Sequence, residues 1–360
     1  MYVTVYTSFE DIPPPVSAAL RYPVWSNYLT SIDWYECLYH TSFSRNEKLR
    51  VYVVTTDSKK PHLALFCVHR TDSRHLGALT NFYSTDFSPC EFGDTDEVNE
   101  AYRTLARFLL NEEPSWQSIE LRYLPESSTL SNPLIQELAT AGFYFYRYPL
   151  YENWHTAVSG VAFDDYYAGL SSRTRNTIRR KANKLANTGN VDIRFFEEND
   201  ENLTTGIADY VEIYNNSWKN SEPYPDFIPT LARTCAKLGI LMLGVLYLGN
   251  RPIAAQFWIL TPVRAIIYKL AYVESYAPMS PGSVLSKALF ERAFVKTAPS
   301  EIDYGIGDEN YKREWMDSVR RVYSIHGYNK KTLSGLCSTI AYRARSILKS
   351  MLPATSEPSK

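Results

Sequence analysis

The segment from Asp303 to Lys312, which closes at Trp315, constrains this chain more than any other stretch. It follows a short apolar lead-in and contains Gly305 and Gly307, separated by one residue and flanked by acids. Glycines at this spacing allow a positive φ or a close backbone approach. Core packing explains such a run poorly, so we predict a strand end followed by a ligand-facing loop. A capped strand-to-helix turn is the alternative.

Composition limits the class of protein. The chain has 360 residues, of which 45% are hydrophobic, and this length favours two domains of ordinary size. Its net charge of -1 gives no global indication of nucleic-acid binding, and its 28 tyrosines suggest half-buried aromatic grooves. The five cysteines are widely spaced without a Cys-x-x-Cys pair, and no His-x-x-x-His occurs. We therefore expect reduced thiols, a cytoplasmic location and no metal.

The order of predicted elements is similar in the two halves of the chain. Each half shows helices, an antiparallel meander, a helix, a strand and a further helix, and Gly249-Asn250 marks one tight hairpin. No apolar run reaches about 18 residues, so no membrane span is expected. We divide the chain into residues 1–157, 158–330 and 331–360, the last a basic amphipathic helix with a disordered tail.

Five blocks in the second half resemble, in order, those of GNAT-type acyltransferases of the cellulose-biosynthesis-associated and FemAB-like subgroup. This resemblance implies an α/β (α+β) fold of two GNAT-like units, each a mixed, mostly antiparallel sheet flanked by helices, with the first unit degenerate. It also implies acyl-CoA, most simply acetyl-CoA, as co-substrate, and a small-molecule or glycan-precursor acceptor. The blocks are Leu170 to Lys181, Trp218, Gly249 to Ala255, Tyr268 to Leu285, and Asp303 to Lys312.

The segment Ser280-Pro281-Gly282-Ser283 is the predicted donor site. Proline just before the predicted helix, Gly282 to Lys296, loses nothing by lacking an N–H, and Gly282 and Ser283 then present free amides at a positive helix end. By resemblance, the pyrophosphate of acyl-CoA lies there, and a plain helix start is the alternative. The neighbouring strand is expected to supply backbone contacts to the donor through Tyr268, Lys269, Leu270 and Ala271.

Three residues are the catalytic candidates. Asp303 at a strand end could accept a proton from an attacking amine or hydroxyl, or it could cap the next turn. Lys312 is its predicted partner, in a catalytic or a purely stabilising pair. Tyr272 could protonate the leaving thiolate, with core packing as the alternative. Because Tyr268 and Tyr272 are four residues apart on one strand, they are predicted to share a face.

A basic helix is the predicted binding site for the anionic part of the acceptor. It carries Arg173, Arg175 and Arg180 without an intervening acid, and guanidinium groups suit phosphate and carboxylate. A solvated helix face is the alternative. We assign the remaining contacts to the acceptor to Trp218, Gln256, Asp308 and Tyr311.

Two other functions remain open. A FemAB-like transferase would use aminoacyl-tRNA, and a non-catalytic module would only bind polysaccharide. The C-terminal helix, with Leu333, Leu336 and Ile340 at helical spacing among basic residues, either packs on the protein or lies on an anionic membrane.

Overall fold

The computed structural model describes residues 1–21, 27–56, 60–126 and 133–351, with side chains to residue 345. The tail predicted to be disordered, residues 353–360, lies outside these ranges. The first half contains, in order, β1 (Tyr2–Tyr6), α1 (Pro14–Arg21), α2 (Ile32–Ser42), β2 (Glu47–Thr55), β3 (Pro61–Arg70), β4 (His75–Ala78), β5 (Cys90–Glu91), α3 (Thr95–Asn111), β6 (Ser118–Pro125), α4 (Pro133–Thr140) and β7 (Phe143–Ala157).

The second half repeats much of this order. It contains α5 (Phe163–Gly169), α6 (Ser172–Thr188), β8 (Val191–Phe196), α7 (Glu201–Asn215), α8 (Phe227–Lys237), β9 (Leu241–Leu248), β10 (Arg251–Leu260), β11 (Arg264–Tyr272), α9 (Pro281–Lys296), β12 (Glu301–Asp303), β13 (Ser318–Asn329) and α10 (Leu333–Met351). The predicted hairpin is present, and Gly249 occupies its turn with a φ of 62°.

The described residues form one sheet of thirteen strands, in the order β1-β2-β3-β4-β6-β13-β7-β12-β11-β10-β9-β8, with β5 paired to β3. Two pairs, β4 with β6 and β11 with β12, are parallel, and the other ladders are antiparallel. The predicted mixed, mostly antiparallel α/β fold is therefore confirmed. The parallel pairs occupy corresponding places in the two halves.

The sheet is continuous across the boundary that we placed at residue 157. The last strand, β13, lies between β6 and β7 of the first half and pairs with both. In turn, β7 pairs with β12 of the second half. The halves thus share strands instead of forming two separate sheets.

The C-terminal helix α10 contacts the tyrosine-rich strand β7. The ring of Tyr342 stacks on Tyr146 with a centroid distance of 3.7 Å. Leu333, Leu336 and Ile340 remain exposed on the helix. No helix within the described ranges is long and apolar enough to cross a membrane.

The strand exchange predicts that the first half cannot fold alone. A fragment of residues 1–157 lacks both strands that flank β7, so we expect it to show no cooperative thermal unfolding by circular dichroism. A fragment of residues 1–332 keeps all thirteen strands and should unfold cooperatively. A cooperative transition in the shorter fragment would contradict this account of the sheet.

Candidate active site

Strands β11 and β12 diverge in the middle of the sheet. Their pairing covers three positions and ends where Ile266 faces Asp303. The chain then turns away at Gly305, which has a φ of 63°. Strand β11 continues to Tyr272, paired with β10 on one side and no longer paired with β12 on the other. Backbone groups on one edge of this part of β11 therefore face a gap. An open edge of this kind can pair with an extended ligand.

A β-bulge lies in the part of β11 that extends beyond its pairing with β12. Lys269 pairs with Phe257 and Ile267 pairs with Trp258, so one residue, Tyr268, has no counterpart on β10. An extra residue reverses the alternation of side chains beyond it. Bulges are common beside functional sites, where they redirect side chains.

The prediction that Tyr268 and Tyr272 share a face is wrong because of this bulge. Tyr268 packs edge-on against Trp34 at 6.0 Å, and its hydroxyl donates to the Tyr83 carbonyl at 2.8 Å. Tyr272 instead packs against Trp218, with ring centroids 4.4 Å apart. The Tyr268 side chain is therefore part of the core, and only its backbone can contact a donor.

The start of α9 lies beside the open edge of β11. Ser280 precedes the helix in the left-handed conformation, and no side chain caps this end. Within the described residues, the Gly282 N–H has no acceptor, whereas the Ser283 N–H already donates to the Ser280 carbonyl at 3.1 Å. Only one backbone amide is therefore free, where we expected two, and the serine hydroxyls are the other donors at this helix end. They still form a positive helix end suited to an anion.

A cavity of about 210 Å³ opens at this helix end, and we call it the helix-start cavity. It brings together the predicted residues Trp218, Tyr272, Ser280, Gly282 and Ser283. Trp218 is 47% exposed, so its ring is accessible to a ligand. The remaining lining residues are Gln256, Leu270, Ala277, Ser286, Tyr304, Tyr311 and Trp315.

A second cavity, of about 200 Å³, adjoins the first along β11, and we call it the three-lysine cavity. It shares Leu270, Tyr304 and Tyr311 with the helix-start cavity. Burial raises the pKa of Tyr304 well above its ordinary value, so its hydroxyl stays protonated. The lining is completed by residues from both halves, namely Phe82, Tyr83, Thr85, Lys219, Ile267, Tyr268, Lys269, Ile306, Glu309 and Lys312.

Gln256 positions the start of α9, although we assigned it to the acceptor. Its side chain is 1% exposed. Its amide donates to the Gly282 carbonyl at 3.0 Å and to the Ser286 hydroxyl at 2.8 Å. Its oxygen accepts from the Trp258 indole at 2.9 Å. The side chain is therefore occupied by internal hydrogen bonds.

Asp303 lies in a buried ion network, not in a cavity. Its carboxylate has no exposed surface and accepts from Arg264 and Arg320. It also accepts from the Asn153 amide at 2.7 Å and from the Gly305 N–H at 2.6 Å. Burial opposes ionisation, but the two guanidinium groups outweigh it and hold the pKa of Asp303 well below its usual range. The predicted role of proton acceptor is therefore withdrawn.

Lys312 does not pair with Asp303 either. Its ammonium group is 2% exposed, lies 2.8 Å from Glu309 and donates to the Ile306 and Gly307 carbonyls. These bonds close the glycine loop on itself. Lys312 borders the three-lysine cavity, but its hydrogen bonds are those of a residue that shapes the loop.

The predicted acceptor residues are only partly brought together. Arg173 lines a groove of about 590 Å³, Arg175 lines another of about 740 Å³, and Arg180 is exposed. Asp308 is exposed, pairs with Arg313 at 2.8 Å and borders neither cavity. Arg173 and Arg175 line different grooves, and none of the three arginines lines a cavity beside β11. Tyr311, in contrast, lines both cavities.

Sequence reasoning missed four residues at the site. Lys219 follows Trp218 directly, Tyr83 comes from the first half, and Tyr304 belongs to the glycine-rich run. Glu222 binds two of the surrounding side chains, the Tyr83 hydroxyl at 2.7 Å and the Lys269 ammonium at 2.9 Å. One signal was available, because a lysine and a glutamate follow Trp218 in a proline-containing loop.

Comparison with known proteins agrees with this geometry. Residues 172–313 match the family model described as an acetyltransferase (GNAT) domain. No curated protein sequence matches the chain. These residues include β11, α9 and β12, so the matched domain contains both the diverging strands and the helix start.

Several solved structures share the fold at low sequence identity. FemX has a TM-score of 0.61 and 9% identity, covering 93% of this chain and 100% of its own. A conserved protein of unknown function from Bacteroides thetaiotaomicron has a TM-score of 0.58 and 11% identity, and the match covers 90% of this chain and 100% of that protein. L-PGS from Bacillus licheniformis has a TM-score of 0.50 and 10% identity, and the match covers 83% of this chain and 88% of that protein. The chain therefore has a GNAT-type transferase fold that extends over both halves.

The ion network predicts that Asp303 supports stability. Replacing it by Asn leaves the largely buried Arg264 and the half-buried Arg320 short of one negative charge. We expect the free energy of unfolding in urea at pH 7 to fall by about 3 kcal/mol. Because the pKa of Asp303 is lowered in the folded state, its contribution is complete above the unfolded pKa, near 4. It is lost as the pH falls below that value, so the difference from the natural chain should shrink there.

The matched control is Asp308→Asn, which removes an exposed carboxylate from the same loop. An exposed ion pair is screened by solvent and contributes little, so this variant should unfold almost like the natural chain. Equal, small losses for both variants would show that the buried network does not stabilise the fold.

Proposed function

We propose that the chain transfers an acyl group from acyl-CoA, most simply acetyl-CoA, to an amine or hydroxyl. The observation that carries this proposal is the open edge of β11 facing the uncapped start of α9 across the helix-start cavity. A diphosphate would be held by the Gly282 N–H and the hydroxyls of Ser280 and Ser283. The amide-containing arm of the donor would pair with β11 from Lys269 to Ala271 as an added strand.

The corresponding helix start in the first half is not a comparable donor site. The helix that corresponds to α9 is α3, and Asp94 caps its start in a reciprocal capping box with Glu97. Asp96 adds a further negative charge to the first turn. An anion would meet occupied N–H groups and two or three carboxylates there, so the donor is expected in the second half alone.

The proposed chemistry uses both cavities. A β11 N–H between Tyr268 and Ala271 would donate to the thioester oxygen as charge develops on it. The acceptor in the three-lysine cavity would form a C–N or C–O bond while the C–S bond breaks. Tyr272, with Tyr304 as the alternative donor, would protonate the departing sulfur. Among the described residues that line these two cavities, only Glu309 has a carboxylate, so it replaces Asp303 as the proposed proton acceptor.

The finer identity of the acceptor rests on resemblance. The cellulose-biosynthesis-associated subgroup suggests a cell-envelope or polysaccharide precursor, which is an argument by analogy. Trp218 lines the helix-start cavity, which shares three residues with the three-lysine cavity. Its exposed ring supports a sugar that extends from the acceptor site, since pyranose rings stack on such surfaces. The exposed apolar residues Leu333, Leu336 and Ile340 on α10 support additional contact with a membrane that carries such a precursor.

A second candidate is transfer from aminoacyl-tRNA. Within the described residues, none of the basic side chains of α6 has a carboxylate within 4 Å, and Lys181 donates to the Pro278 carbonyl beside the helix-start cavity at 2.5 Å. A row of unpaired cations next to a donor site suits a polyanion. The likeness to FemX is compatible with this donor but concerns the fold alone. The basic side chains are Arg173, Arg175, Arg179, Arg180, Lys181 and Lys184.

The donor site is tested by Ser283→Glu. A carboxylate in the first turn favours the helix by about 0.3–1 kcal/mol, so the unliganded melting temperature should not fall. The same charge repels a diphosphate, and we expect the affinity for CoA in calorimetry to drop at least about tenfold, or 1.4 kcal/mol. The control is Ser283→Ala, which removes the hydroxyl without adding charge and should retain most of the affinity.

The natural chain should also gain thermal stability with a CoA thioester, because a ligand that binds only the folded state raises its melting temperature. Normal CoA binding by Ser283→Glu would place the donor elsewhere. No response to any CoA thioester, together with salt-sensitive binding of charged tRNA, would select the second candidate. Binding of a glycan with neither donor would indicate a non-catalytic module.

A further inference from the structure

The three-lysine cavity has more positive than negative side chains on its walls. Lys219, Lys269 and Lys312 border it, and Glu309 is the one carboxylate among its described lining residues. Each lysine comes from a different element: the loop after α7, strand β11 and the loop after β12. Their convergence is therefore a property of the tertiary structure, and it places excess positive charge beside the diverging strands.

Two of these charges are neutralised within the protein. Lys269 lies 2.9 Å from Glu222, and the same carboxylate accepts from the Tyr83 hydroxyl through its other oxygen at 2.7 Å. Lys312 lies 2.8 Å from Glu309 and is also held by backbone carbonyls. These two ammonium groups need no ligand.

Lys219 is the exception. Among the described side chains, no carboxylate lies within 4 Å of its ammonium group, which sits 5.7 Å from the ring centre of Tyr214 and 5.6 Å from that of Trp218. Burial and the nearby Lys269 ammonium lower the pKa of Lys219 to about 8. The more distant Glu222 and Glu309 act in the opposite sense, and Lys312 adds repulsion.

A partly buried cation without a partner costs free energy that a bound anion would recover. We propose that Lys219 binds an oxyanion of the acceptor, a carboxylate or a phosphate, and so selects acceptors that carry one. A lysine merely solvated at the surface would not be held between two aromatic rings at the wall of a cavity. This inference rests on the proposed function, since it assigns the three-lysine cavity to the acceptor.

The ammonium of Lys219 can be observed directly by NMR after labelling the lysine ε-carbons with ¹³C. The signal of Lys219 is assigned by its loss in Lys219→Met. We expect it to titrate near pH 8 in the free protein and at least about one pH unit higher with saturating inorganic phosphate or acetate. A shift of one unit means that the anion binds the ammonium form about tenfold more tightly than the amine.

The two probes separate the sources of the anion, because a larger shift with phosphate indicates a phosphorylated acceptor and a larger shift with acetate a carboxylated one. Lys237→Met, which removes an exposed lysine outside both cavities, should leave the response unchanged. Lys219→Arg should bind the stronger probe with little loss, and its affinity should not fall between pH 8 and 10, because guanidinium stays charged. An unchanged Lys219 signal with both anions would overturn the proposal.

The donor variant separates this inference from the proposed function. In Ser283→Glu the response of Lys219 to anions should persist, because the substitution lies in the helix-start cavity. If the natural chain shows the Lys219 response but binds no CoA, the anion site stays valid and the acyl-CoA donor is refuted. Loss of the response in Ser283→Glu would mean that the anion acts from the helix start, which would refute the assignment to Lys219.

Discussion

Two guanidinium groups meet at the fully buried carboxylate of Asp303, and the arrangement of the central strands depends on this meeting. Arg264 belongs to β11 and Arg320 to β13, while Asn153 of β7 binds the same carboxylate. Arg264 also reaches Asp86 of the first half at 3.0 Å. Removing Asp303 would take away the carboxylate that both guanidinium groups share, so this ion network holds the strands in one relative position. Their divergence begins at the paired residues Ile266 and Asp303.

Where β11 and β12 diverge beyond this network, two cavities with different chemistry lie beside β11. One faces an uncapped helix end that attracts an anion, and the other is bordered by lysines and by the first half of the chain. The hydroxyl of Tyr268 donates to the Tyr83 carbonyl, so the loop of the first half is attached to the bulged strand. Although the start of α3 is capped by its own side chains, the first half supplies a wall of the site in the second half.

The sequence predicted those features that depend on neighbouring residues. The turn at Gly249 and a helix that begins close to Pro281 were both indicated by local patterns. The errors share another cause. One bulged residue separated Tyr268 from Tyr272, and burial turned Asp303 from a candidate base into part of an ion network. Neither the bulge nor the burial has a signature in a single chain.

The amino-acid sequence alone determined the alternation of helices and strands and the resemblance of its second half to GNAT-type transferases, because periodicity, turns and helix starts are set by residues close in the chain. Tertiary structure alone decided which charges are neutralised. Lys269 meets Glu222 and Arg264 meets Asp303, whereas Lys219 meets no carboxylate of the described residues. The interaction energy of a charged side chain depends on its distance from other charges and on the water around it. Both are fixed only when strands distant in sequence come together.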